Sequence, residues 1–101
     1  MSFQNINQCR SYKQTITTAL VALTAQPCTE VIVYNISGTT IEIFDSNFGP
    51  SEGPFSFTLK DGDSFVVRGL TNSNQVSART TSGSGAICYR TQFFSNFTQG
   101  V

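Results

Sequence analysis

From Tyr12 to Phe94 the chain is a succession of short apolar runs separated by Gly, Pro, Asn and Ser. Most of these runs alternate apolar with polar residues, which is the period of a strand with one face turned inward. "FSFTL" (55–59) sets Phe55, Phe57 and Leu59 on one face against Ser56 and Thr58 on the other. "DSFVVRG" (63–69) puts Phe65 and Val67 on one face and Ser64, Val66 and Arg68 on the other, and "QVSAR" (75–79) carries Val76 and Ala78. "AICYRTQFF" (86–94) reads as the last strand, followed by a short tail with Phe97. "EVIVYNI" (30–36) barely alternates, as expected of a central strand buried on both faces. Across Ser37-Gly38 it leads into "TIEIF" (40–44), so the two read as a hairpin.

Two segments leave more than one reading. "YKQTITT" followed by "LVALTA" also fits a helix through Ile16, Ala19, Leu20 and Leu23. The threonines between Thr15 and Thr24 and the absence of a cap favour strand. In "FTLKDGDSFVVRG" (57–69), Asp61-Gly62 suggests a two-residue hairpin. That register opposes Thr58 to Phe65 and so points Phe65 at solvent, against the alternation of both strands. A three-residue loop, Lys60-Asp61-Gly62, opposes Phe57 to Phe65 and places Gly62 where a left-handed conformation is needed. The expectation is a bulged hairpin or, failing that, a corner where the chain changes sheets.

Seven or eight strands spaced at roughly 8–12 residues predict an all-β, antiparallel β-sandwich, and eight strands with arching loops point to a jelly roll. The first eleven residues are polar, with Phe3 and Ile6 isolated in them, and read as an extended N-terminal arm. Residues 12–101 form the sandwich domain with its short C-terminal tail. At 101 residues there is material for one core.

Composition narrows the function. Charged residues make up 12% of the chain, six basic and six acidic, about half the usual share. Such a surface opposes association weakly. Scattered Lys and Arg argue against nucleic acid, which needs clustered cations, and no apolar run is long enough to span a membrane. "MSFQNINQCRSYKQ" has no apolar core of a secretory signal, so synthesis in a cytoplasm is expected.

The chain has no His, which removes the commonest acid–base group and the usual partner of a Ser or Cys nucleophile. No paired carboxylates lie in an aromatic cleft, so the reading is non-enzymatic, with no cofactor. Asp61 and Asp63, with Asp45 and Asn47 recruited from the long loop, could start a calcium site, yet the further acidic ligands are missing and Lys60 competes for the carboxylates. A turn is preferred and no metal is expected. Cys9, Cys28 and Cys88 match no zinc spacing and read as reduced thiols, a Cys28–Cys88 bridge being the alternative. A carbohydrate platform would favour exposed Trp and Tyr; here there is no Trp, and nine Phe dominate the aromatics. Phe48, Phe93, Phe94 and Phe97 are hard to bury within one subunit, and Phe3 and Ile6 could anchor the arm on a neighbouring one; these six are the expected interface, with simple capping of the sandwich end as the alternative for the four Phe of the first group.

"VIVYNISGTTIEIFD" and "FSFTLKDGDSFVVRGLTNSNQVSARTTSGSGAICYRTQF" together resemble small tailed-bacteriophage virion proteins, above all head decoration (cement) proteins. The shared pattern is an apolar strand with Asn35-Ile36-Ser37-Gly38, then Ile41-Glu42-Ile43, then Leu59 to Phe65 with Gly62 and Ser64, and a final Tyr89-Arg90-Thr91. The likeness runs over residues 20–93 and matches structural positions only, among them Asn35, Gly38, Gly62 and Ser64. It implies a homotrimer on the capsid surface, with the major capsid protein and its own copies as partners. A phage tail or fibre-attachment component is the alternative, and a small carbohydrate-binding module stands behind it.

Overall fold

The computed structural model describes residues 6–45 and 55–95. They form eight strands: β1 (Ile6–Ile16), β2 (Val21–Ala22), β3 (Glu30–Asn35), β4 (Ile41–Asp45), β5 (Phe55–Leu59), β6 (Ser64–Arg68), β7 (Val76–Thr80) and β8 (Gly85–Ser95). A 3-10 turn, Ser73–Gln75, precedes β7, and there is no α-helix among the described residues. The strands make two four-stranded antiparallel sheets, ordered β1-β8-β3-β6 and β2-β7-β4-β5. The expected all-β sandwich is therefore what the chain forms.

The pairing is nested. β1 lies beside β8, β2 beside β7, β3 beside β6 and β4 beside β5, so the first half of the chain runs against the second half throughout. The pairs β3–β8 and β4–β7 complete the two sheets.

The inner faces supply the core. Val31, Val33, Val67, Ile87 and Tyr89 come from one sheet and Ile41, Ile43, Leu59, Val76 and Ala78 from the other, all nearly or fully buried. Leu23, Cys28 and Leu70 close it from the connections. The Tyr89 hydroxyl accepts from Thr24 N at 2.8 Å and donates to Gln14 Oε1 at 2.6 Å, so its polar end is satisfied within the sandwich.

Several local expectations change. Neither expected hairpin forms: β3 and β4 belong to different sheets, and so do β5 and β6. Each of these strands has one inward face, and neighbours in sequence meet across the core instead of side by side. Phe57 and Phe65, expected as a ladder pair, still touch, their ring centroids 4.2 Å apart across the interior. The corner between β5 and β6 is the second reading of Gly62. "LVALTA" contributes only Val21–Ala22 to a sheet, with Leu20 and Val21 exposed and Leu23 buried. The boundary drawn at Tyr12 falls inside β1, whose residues from Ile6 onward pair with β8. β3 is not buried on both faces: Val31, Val33 and Asn35 point inward, while Ile32 is half-buried and Tyr34 exposed. The reason is that this sheet has its partner sheet on one side only.

Candidate functional site

Two features concentrate the polar chemistry: a pair of interlocked corners at one end of the sandwich, and the outer face of the β1-β8-β3-β6 sheet. At the corners, buried Asn35 uses every bonding position of its amide. Its Nδ2 donates to Thr39 O at 2.7 Å and Leu59 O at 2.9 Å, and its Oδ1 accepts from Ser37 N at 2.9 Å and Ser37 Oγ at 2.6 Å. Gly62 N donates to Asn35 O at 2.8 Å, and Asn35 N to Asp63 O at 2.9 Å. The chain bends from β3 into β4 and from β5 into β6 at the same place, with Asn35 as the common bolt.

Asp61 belongs to this device. Its Oδ1 accepts from Gly38 N at 2.8 Å, tying one corner to the other. Asp63 is exposed and contributes its backbone. Asp45 stands at the far end of β4, about 13 Å along the strand from Ile41 at a rise of about 3.3 Å per residue. It cannot join Asp61 in one site, and Asn47 lies outside the described residues. Gly62 has φ +90°, which an L side chain strains to adopt, although a Cβ there would touch nothing within 4 Å. Gly62→Ala should therefore cost about 1 kcal/mol from backbone strain alone. Losing the Asp61 bond in Asp61→Ala should cost about as much. Urea denaturation measures both, and a melting temperature raised by added calcium would contradict this account of Asp61.

On the outer face of the β1-β8-β3-β6 sheet, the register lines up rows of side chains. Lys13, Cys88, Tyr34 and Ser64 form one row, and Ser11, Arg90, Ile32 and Val66 the next. Lys13, Tyr34, Cys88 and Arg90 line an open groove of about 400 Å³. Tyr34 is 44% exposed, Ile36 49% and Val66 37%. In a third row Glu30 meets Arg68 at 3.4 Å, but Arg68 is largely exposed, so the pair adds little stability. On the opposite outer face Arg79 pairs with Glu42 at 2.7 Å and lies over the Phe44 ring.

Of the residues expected at an interface, Phe3, Phe48 and Phe97 lie outside the described residues. Ile6, Phe93 and Phe94 are brought together at one end of the β1–β8 pair, opposite Ser95, Gln8 and Asn7. β3 reaches only as far as Gln92, so these three pairs extend past it as a two-stranded ribbon. Phe93 is half-buried there. The outer-face residues Ile32, Tyr34, Ile36 and Val66 were not among the expected interface. For the first three the signal was the unbroken apolar run of "EVIVYNI", which in a one-sided sheet means an apolar outer face, and Val66 is the outward apolar residue of "DSFVVRG".

All three cysteines are free: Cys9 is exposed, Cys88 half-buried at the groove and Cys28 buried. The Cys28–Cys88 alternative is thus not formed. Burial pushes the Cys28 thiol above its ordinary value. A raised value leaves less thiolate at neutral pH, so a thiol reagent should label Cys9 first, Cys88 more slowly and Cys28 only on unfolding. Mass spectrometry of a labelling time course reads this order directly.

Among the described residues no group of three His, Cys, Asp or Glu could hold a metal ion, and no helix is long and apolar enough to cross a membrane. No family model matches the chain, and no curated protein matches it. Among solved structures, its fold is similar to that of a chain from the Bacillus endospore appendages, described as a novel family of disulfide-linked pili. The likeness covers 91% of this chain and 89% of that one at 14% identity, with a TM-score of 0.54. At that identity the likeness is one of fold.

Proposed function

We propose that the chain is a non-enzymatic structural subunit that works by assembly, a decoration (cement) protein bound as an oligomer to the head of a tailed bacteriophage. The observation that carries the assembly reading is β3. It is paired on both sides and apolar on both faces, yet a single subunit covers only one of them. Exposed apolar faces of this kind are the usual mark of protein–protein contact. The strand order supports a further step, reading the sandwich as a jelly roll. Eight strands nested as first-with-last pairs, split into β1-β8-β3-β6 and β2-β7-β4-β5, are what two interleaved Greek keys produce. The setting in a phage head rests on the sequence pattern around Asn35, Gly38, Gly62 and Ser64, whose positions are those of the interlocked corners.

A second reading, a subunit of a protein fibre, is favoured by the fold shared with the appendage chain and by the exposed free thiol of Cys9. Quantitative mass spectrometry of purified particles tests the first. Copies comparable in number to the major capsid protein are expected, and a few copies per particle would move the protein to the tail. Electron microscopy of the purified protein tests the second: fibres that fall apart under a reducing agent would replace the shell reading.

A further inference from the structure

The outer face of the β1-β8-β3-β6 sheet carries a charge imbalance. Its outward rows hold Lys13, Arg68 and Arg90, and among the described outward positions the carboxylate is Glu30, which already meets Arg68 at 3.4 Å. Lys13 and Arg90 have no ion-pair partner among the described residues, and both open onto the groove of about 400 Å³, the size of a small-ligand site. Half-buried Cys88 forms its floor, with Lys13 beside it on β1, Tyr34 beside it on β3 and Arg90 two residues along β8. At about 4.8 Å between strands and about 3.3 Å per residue, Lys13 and Tyr34 stand roughly 10 Å apart at the backbone, with Arg90 about 7 Å to one side. One short side chain among three long ones makes the depression.

The surroundings narrow the occupant. A second copy laid on this face brings no free carboxylate to the two cations, because the same face supplies it. A peptide cannot add here as a strand, since β8 and β3 are paired on both sides and offer no open edge. A bare phosphate would find no cradle of backbone N–H groups, which the sheet ladders take up. Tyr34, 44% exposed, adds a ring face that packs on apolar C–H surface and a hydroxyl that hydrogen-bonds.

We infer that the groove binds a sugar residue bearing a carboxylate, as uronic and sialic acids do. The Tyr34 ring covers the C–H face of the sugar, Arg90 takes the carboxylate in a two-pronged bond, and Lys13 adds its charge from the far wall. Ser11, which also lines the groove, offers a hydroxyl to those of the sugar. One sugar on one ring is a weak ligand, so strong attachment comes from many copies acting together. The inference goes beyond the assembly reading and does not depend on it, and Ile36 and Val66 stay exposed beside the groove for protein contacts.

A glycan array probed with the full chain tests it. Binding is expected to glycans carrying uronic or sialic acid, and it should vanish when their carboxyl groups are reduced to alcohols. Calorimetry with a bound glycan should show Lys13→Gln and Arg90→Gln each weakening binding by about tenfold or more. Tyr34→Ala should abolish it and Tyr34→Phe keep most of it, while Lys60→Gln, at the corner, should change nothing. All these side chains are exposed, so melting curves should stay close to wild type and separate lost binding from lost folding. Silence across the array overturns the inference. So does equal binding of the carboxyl-reduced glycans, of polyglutamate or of inorganic phosphate, and so does glycan binding that ignores Arg90→Gln. None of these outcomes alters the copy number on particles, which tests the assembly reading separately.

Discussion

Gly85→Ala is expected to destabilise the protein by about 2–3 kcal/mol, enough to lower the melting temperature by roughly 10 °C or more. Gly85 opens β8 opposite Ile16, directly beneath the corner between β3 and β4. A Cβ placed there would lie 2.6 Å from Ser37 Cβ, 2.6 Å from Ser37 O and 2.8 Å from Ser37 Cα. Two of the three obstacles are main chain, and Ser37 has little freedom to retreat. Its N and Oγ both donate to Asn35 Oδ1, and Oγ itself accepts from Thr39 N at 3.2 Å. Relief must come from moving the corner or from bending β8, and either breaks pairing that closes the sheet. Urea denaturation of Gly85→Ala beside Gly62→Ala is the informative comparison. The first substitution meets packed backbone and the second meets open space, so equal losses would mean that the corner is not as tight as described.

Asn35→Asp should be costlier still, more than about 3 kcal/mol at neutral pH. The change keeps the shape of a side chain that is only 1% exposed, so packing is not the issue. What it removes are the two N–H donors to Thr39 O and Leu59 O, and in their place it sets a carboxylate oxygen against two carbonyl oxygens. Burial and those acceptors disfavour the charged form, so the new carboxyl would be protonated more readily folded than unfolded. A folded-state value raised in this way gives a definite sign. The variant's deficit is smallest below the ordinary carboxylate range and grows as pH rises through the raised folded value. The difference in urea midpoint between variant and wild type, measured near neutrality and near pH about 4, should therefore shrink on acidification. A constant or widening difference would contradict the buried network around Asn35.

These two sites show what the sequence could and could not convey. Alternation in "FSFTL" and "DSFVVRG" located two strands and their inward faces, and Leu59 and Val67 are buried as expected. It carried no information about neighbours. Phe57 and Phe65 were expected to face each other along a ladder, and they do meet, but from opposite sheets. An inward-facing pattern is satisfied equally by a hairpin and by a corner, since both bury the same residues. Ser37-Gly38 and Asp61-Gly62 were readable as bends, yet the bond from Gly38 N to Asp61 joins residues that local sequence cannot relate. Of the apolar residues the sequence singled out as an interface, Ile6, Phe93 and Phe94 fall at one end of the β1–β8 pair. The outer face around Tyr34 was hidden because an unbroken apolar strand has the same appearance whether its second face meets another layer of its own chain or another molecule.

The nested pairing also constrains how the chain reaches its fold. Ile6 finds its place against Ser95, and Ile16 against Gly85, so the first strand made is held by the last. During synthesis the N-terminal half would leave the ribosome with its strands unpaired, since β3 takes both its partners, and β4 both of its own, from the second half of the chain. Contacts this distant in sequence make for slow folding and a long interval in which strand edges are open to other chains. In a cell making many copies at once, the sparsely charged sequence gives little repulsion to hold those chains apart during that interval.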